Sequence, residues 1–102
     1  MELVLALLMP ANRLVCRVML CTGLRVGDVL SLTPEQIKPT TKVTEAKTGK
    51  ARRVRIAKGL CAEVLAQASS RWAFPSPRDP CKHRTRQAVW ADVKRAQQAC
   101  RL

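Results

Sequence analysis

The stretch Thr22-Gly23-Leu24-Arg25-Val26-Gly27-Asp28-Val29-Leu30-Ser31-Leu32 constrains this chain more than any other. It stops one helix and starts another within a few residues. Upstream, Leu14, Val15, Val18, Met19 and Cys21 give a broad apolar face at helical spacing, with Arg13 and Arg17 four apart on the other side. Thr22-Gly23 ends that helix, the glycine supplying a permissive backbone. A short helix is expected from about Val26 to Ser31, with Val26, Val29, Leu30 and Leu32 packed inward. Arg25 stands at its entrance and Asp28 lies three residues further on.

A second stretch answers the first: Glu45-Ala46-Lys47-Thr48-Gly49-Lys50-Ala51-Arg52-Arg53-Val54-Arg55-Ile56. β-Branched residues alternate from Lys42 to Ala46, as in a strand. Lys47 to Lys50 form a glycine-containing turn, and Arg52 to Ile56 return as a second strand. Val54 and Ile56 share one face of it, Arg53 and Arg55 the other. The result is a hairpin with a strongly positive exposed face.

The remaining elements are helical or short. Glu2 to Met9 reads as a brief apolar helix, and Pro10 interrupts it or opens the next, for which Asn12 is the expected cap. Thr33-Pro34-Glu35-Gln36 reads as a cap followed by a turn of helix, and Pro39-Thr40-Thr41 as a loop. Ala57 to Ser70 is expected to bury Leu60, Val64, Leu65 and Ala68. Trp72-Ala73-Phe74 reads as a third strand, stopped by Pro75 and Pro77, and residues 78–84 as a polar loop. A last helix runs from about Thr85 to Cys100 with Val89, Val93, Ala96 and Cys100 inward, and Trp90 on it is read as packing in preference to base stacking.

Charge narrows the class of partner. Nineteen Lys and Arg against seven Asp and Glu leave +12 on 102 residues. A domain this basic suits a polyanion, first of all nucleic acid, then an anionic membrane surface, against the plainer reading of a solvated basic face. With aromatics at 3%, stacking platforms for a single-stranded RNA are few. The five cysteines include no CxxC pair and no secretory signal accompanies them, so they read as reduced thiols of a cytoplasmic protein. Cys16, Cys21, Cys61 and Cys100 fall in helical patterns and read as small core residues. Cys81 and His83 stand two apart without a second ligand pair, so no metal site is assigned. The apolar run Leu3 to Met9 is too short to span a membrane, and no membrane partner is expected.

The two stretches resemble the first half of the catalytic domain of the tyrosine recombinase, or phage integrase, family. Thr22, Gly23, Leu24, Arg25, Asp28, Val29 and Leu32 are similar to the T-G-L-R-x-x-E/D-L-x-x-L motif around that family's first arginine, with valine where leucine is common. Lys47, Thr48, Gly49 and Lys50, followed by the strand through Val54 and Ile56, resemble its lysine-bearing hairpin. Trp72 to Ser76 resembles the third strand and its exit, and Gln87 to Leu102 the helix before the next motif. The resemblance implies an α+β fold, helices packed around a small three-stranded antiparallel sheet, in one partial catalytic domain over residues 1–102.

It also implies roles. Strand cleavage by a tyrosine builds negative charge on the non-bridging phosphate oxygens, and a guanidinium grips two of them at once, the role implied for Arg25. A hairpin lysine protonates the leaving 5′-oxygen, the role implied for Lys47, with Lys50 as its rival. Asp28 would orient Arg25, or serve structure alone; a local Arg25–Asp28 pair is the simpler reading of the motif by itself. Arg52, Arg53 and Arg55 would face phosphates, although a solvated strand face has the same sequence. His83 lacks the family's H-x-x-R surroundings. The family continues with that motif, a histidine or tryptophan, and the tyrosine, and none of these is in the chain. No metal or other cofactor is called for. The expectation is a recombinase fragment that binds double-stranded DNA through Arg25, Lys47, Lys50, Arg52, Arg53 and Arg55 but neither cleaves nor joins it alone. The alternative is a non-catalytic module that binds full-length recombinase subunits. Missing helices would leave an apolar face, favouring a homo-oligomer through that face or a swapped terminal helix.

Overall fold

A computed structural model describes residues 2–79 and 81–99 of the chain. Five helices and one hairpin follow in the order α1 (Glu2–Leu7), α2 (Pro10–Thr22), α3 (Val26–Leu30), a 3-10 turn (Pro34–Gln36), β1 (Thr40–Thr44), β2 (Ala51–Arg55), α4 (Lys58–Gln67) and α5 (Arg86–Ala99). Among the described residues no helix is long and apolar enough to cross a membrane.

α2 is the central element. Pro10 opens it at a position where the missing N–H costs nothing, because the first amides of a helix have no partner within it. Its inner face buries Leu14, Val15 and Val18. Its end is fixed three times over. Gly23 takes a left-handed φ of 74° and donates its amide to Met19 O at 2.8 Å. The Thr22 hydroxyl donates to Val18 O at 2.6 Å and accepts the Leu24 amide at 3.2 Å. Leu24 then plugs the core. The Thr-Gly-Leu part of the motif is thus a helix stop, and it delivers Arg25 to the N-cap of α3.

Asn12 does not cap α2. It lies inside the helix, buried, and its Nδ2 donates to Asp92 Oδ2 at 2.8 Å. The cap position is held by Met9, whose amide donates to the same oxygen at 2.9 Å. Arg95 completes the arrangement, donating through Nε and Nη2 to Asp92 Oδ1 at 3.0 and 2.7 Å and through Nη2 to Leu7 O at 2.7 Å. One buried carboxylate therefore ties α5 to the α1–α2 corner. Burial pushes Asp92 up, but the hydrogen bonds from Asn12, Met9 and Arg95 outweigh it and hold the carboxyl below its ordinary value.

The core gathers Val15, Val18, Val29, Leu30, Leu32, Ile56, Val64, Phe74 and Val89 between the helices and the inner face of the hairpin. α4 buries Leu60, Cys61 and Val64, whereas Leu65 is exposed and Ala68 follows the helix end in an extended conformation. Cys61 thus occupies the stripe position that the pattern gave to Leu65. Of the helical cysteines, Cys61 is buried, Cys16 half-buried and Cys21 exposed, so Cys21 is no core residue; these three and Cys81 are free thiols. Cys100 and Arg101 lie outside the described residues.

The sheet has two strands, not three. β1 pairs antiparallel with β2 in the register Thr40–Arg55, Thr41–Val54, Lys42–Arg53, Val43–Arg52 and Thr44–Ala51. β1 begins two residues before the alternation suggested, so Thr40 and Thr41 belong to the strand rather than to a loop. The stretch Trp72 to Phe74 fails to join because its polar groups are engaged elsewhere. Ala73 donates its amide to Leu32 O at 3.0 Å, and its carbonyl accepts from Gln67 Nε2 at 2.6 Å. Ala73 and Phe74 are both fully buried, which is incompatible with a strand that shows alternate residues to solvent. Just beyond it, Pro75 and His83 form an isolated antiparallel bridge that does not involve the hairpin.

Candidate nucleic-acid interface

The hairpin sorts its basic residues by parity. Val54, Ile56 and the β1 residues Thr41 and Val43 turn inward and are buried. Arg53 and Arg55 turn outward with Lys42, and all three are exposed. Lys42 stands directly opposite Arg53. Like charges in facing positions destabilise a strand pair, and among the described residues no acid forms an ion pair with either. Lys42 was not singled out from the sequence; only the register reveals it.

Arg52 behaves differently from its neighbours. It shares the inner parity of Val54, and its guanidinium reaches the end of α2, donating to Thr22 O at 3.2 Å and Gly23 O at 3.4 Å. It also lies 3.4 Å from Glu45 Oε1. A cation on the last carbonyls of a helix opposes the negative end of its dipole. Arg52 therefore braces the hairpin against the turn that carries Arg25.

Asp28 supplies a second brace. It is buried, and its Oδ1 accepts the Ala46 amide at 3.0 Å. The carboxylate does not reach back to Arg25; it joins α3 to the residue before Lys47. The turn itself is closed by Gly49 N donating to Glu45 O at 2.7 Å and Glu45 N to Lys50 O at 2.9 Å, with Gly49 at φ 70°. Lys47 and Lys50 are exposed on it. Among the described residues neither ammonium group has a side-chain partner, and both lysines stay candidates.

Arg25 is exposed, and among the described residues its guanidinium has no hydrogen-bond or ion-pair partner. It opens onto a shallow cleft of about 810 Å³ shared with Met19 and with Arg86, Gln87, Trp90 and Lys94 of α5. Among the described residues no acidic side chain lines this cleft. Neither Arg86 nor Lys94 was assigned to a site from the sequence, which places Lys94 simply on an outer face of the last helix. Their signal was there, since Arg86, Trp90 and Lys94 are spaced four apart and so share a helix face. Trp90 packs in part, lining an apolar pocket with Leu8, Met19 and Val93, and leaves 44% of its surface exposed. His83 belongs elsewhere: its ring packs edge-on against Trp72 with centroids 5.0 Å apart.

The elements thus define a basic α+β domain with a bare arginine at a helix entrance beside a cationic hairpin. The family model described as the phage integrase family matches residues 7–101 of the 102, and the chain belongs to that family, the tyrosine recombinases of DNA integration and recombination. Comparison with curated proteins gives no match.

Proposed function

We propose that this domain holds duplex DNA by its phosphates and is a recombinase-related fragment that does not itself cut the strand. The observation that carries this reading is the unrelieved Lys42–Arg53 pair with Arg55 beside it. Such a face gains when an anion lies across it. Arg25, with its guanidinium unengaged, suits a bidentate grip on one phosphate. Lys47 and Lys50 extend the positive surface along the turn, and either is placed to supply a proton to a leaving oxygen in an assembly that provides a nucleophile. The 102 residues contain no tyrosine, so the covalent step of the family is not assigned to them. Asp28 and Arg52 are positioning residues in this account. Contacts of this kind fix register on the duplex without reading its sequence.

Fluorescence anisotropy on a plain duplex across a salt series tests the reading. If Arg25, Lys42, Lys47, Lys50, Arg53 and Arg55 all reach phosphates, log affinity falls against log salt with a slope of about −5, at roughly −0.9 per contact. A slope near zero, or no binding at low salt, would sink the proposal.

A further inference from the structure

The two tryptophans have opposite circumstances. Trp72 is engaged: its Nε1 donates to Cys81 O at 2.9 Å and its ring meets His83. Trp90 has no hydrogen bond or ring partner among the described residues and leaves 44% of its surface in solvent. It stands midway between Arg86 and Lys94 on one face of α5, a stripe that runs about 12 Å at 1.5 Å per residue. All three side chains line the acid-free cleft into which Arg25 opens. Neither cation has an ion-pair partner among the described residues.

A flat indole bracketed by unpaired cations suits one ligand chemistry well. A nucleotide places its base on an aromatic face and its flanking phosphates on guanidinium and ammonium groups. A duplex cannot use the indole, because its base faces are stacked within the helix. An unpaired nucleotide can. We propose that the α5 cleft receives an unpaired nucleotide of a DNA strand, stacked on Trp90 with its phosphates on Arg86, Lys94 and Arg25. The proposal rests on the DNA-binding reading above and adds a preference for DNA interrupted by unpaired bases. Gln87, at the cleft wall, offers an amide donor and acceptor to a base edge.

The test compares three probes of equal phosphate number by anisotropy: a fully paired duplex, a duplex with one unpaired thymine, and the same duplex with an abasic residue at that position. The wild-type chain binds the unpaired-thymine probe roughly tenfold more tightly than the paired one, and the abasic probe loses the gain. Trp90→Ala removes the preference and leaves paired-duplex affinity unchanged, while Trp90→Phe, which keeps a π-face, retains most of it. Circular dichroism of each variant confirms that α5 persists. Equal binding of all three probes by the wild type overturns this proposal and leaves duplex binding standing. A gain that survives with the abasic probe assigns the effect to backbone flexibility and overturns it too. Absence of binding to every probe overturns both readings together.

Discussion

Two parts of this molecule are rich in arginine and treat it in opposite ways. In the α1–α2–α5 corner the guanidinium groups are occupied. Arg13 donates to Leu5 O at 2.9 Å and to Ala6 O and Leu8 O at 3.1 Å, closing the end of α1. Arg95 is held by Asp92 and Leu7 O, and next to this corner, on the exposed side of α2, Arg17 pairs with Glu63 of α4 at 2.7 Å. Across the outer hairpin face, the entrance of α3 and the outer stripe of α5, the cations Arg25, Lys42, Arg53, Arg55, Arg86 and Lys94 have no ion-pair partner among the described residues. A net charge of +12 sums both populations. What separates them is where a carbonyl or carboxylate is already waiting. The first population is engaged within the fold, and the second is the one proposed above to meet phosphates.

The sharpest way to break this comparison is at Asp92. Asp92→Ala leaves Asn12 and the Met9 amide without their acceptor in a buried site, and should cost about 3 kcal/mol in urea unfolding. The salt slope of DNA binding, measured where the variant is still folded, should not change. The same group gives a pH signature. Because its folded value lies below the ordinary one, its contribution is fully present above the ordinary aspartate range. It is lost as pH falls through the lowered value. Acid unfolding of the wild type should therefore steepen there, and that steepening should be absent in Asp92→Ala.

A smaller effect is expected at Asp28, which joins α3 to the hairpin turn. Asp28→Ala removes the acceptor of the Ala46 amide and should cost about 1–2 kcal/mol. Hydrogen exchange at Ala46 should accelerate more than at Val54, whose amide belongs to the strand ladder. Equal acceleration at both would mean that Asp28 supports the whole hairpin rather than its turn.

Much of this organisation was legible in the residues. Gly23 as a helix stop, the short α3, the Thr33 cap with its turn of helix and the parity of Arg53 and Arg55 follow from local rules, because each depends on neighbours within four positions. The third strand was not legible. The aromatic-rich run and the prolines after it favour a strand at Trp72–Phe74, but Leu32, far back in the chain, and Gln67, six residues before Ala73, claim its polar groups. Asn12 misled for the same reason: its partner Asp92 is 80 residues away. Arg52 was grouped with Arg53 and Arg55 by charge although its parity is that of Val54, and its acceptors at the end of α2 lie about thirty residues away. The motif residues Arg25, Lys47 and Asp28 were found through resemblance, whereas the acceptor role of Asp28 toward Ala46 is visible only in three dimensions.

The central claim is that position, not total charge, decides which cations hold DNA. A charge-matched pair of variants tests it most directly. Arg53→Ala/Arg55→Ala and Arg13→Ala/Arg17→Ala each remove two positive charges, the first from the outer hairpin face and the second from the occupied corner. Duplex affinity is measured for both between about 50 and 200 mM salt, the range over which phosphate contacts weaken most visibly. The account predicts a slope shallower by about 1.8 for the hairpin pair and unchanged for the corner pair, at roughly 0.9 per contact. Equal changes in the two would show that the chain attracts DNA by net charge alone, and would contradict it.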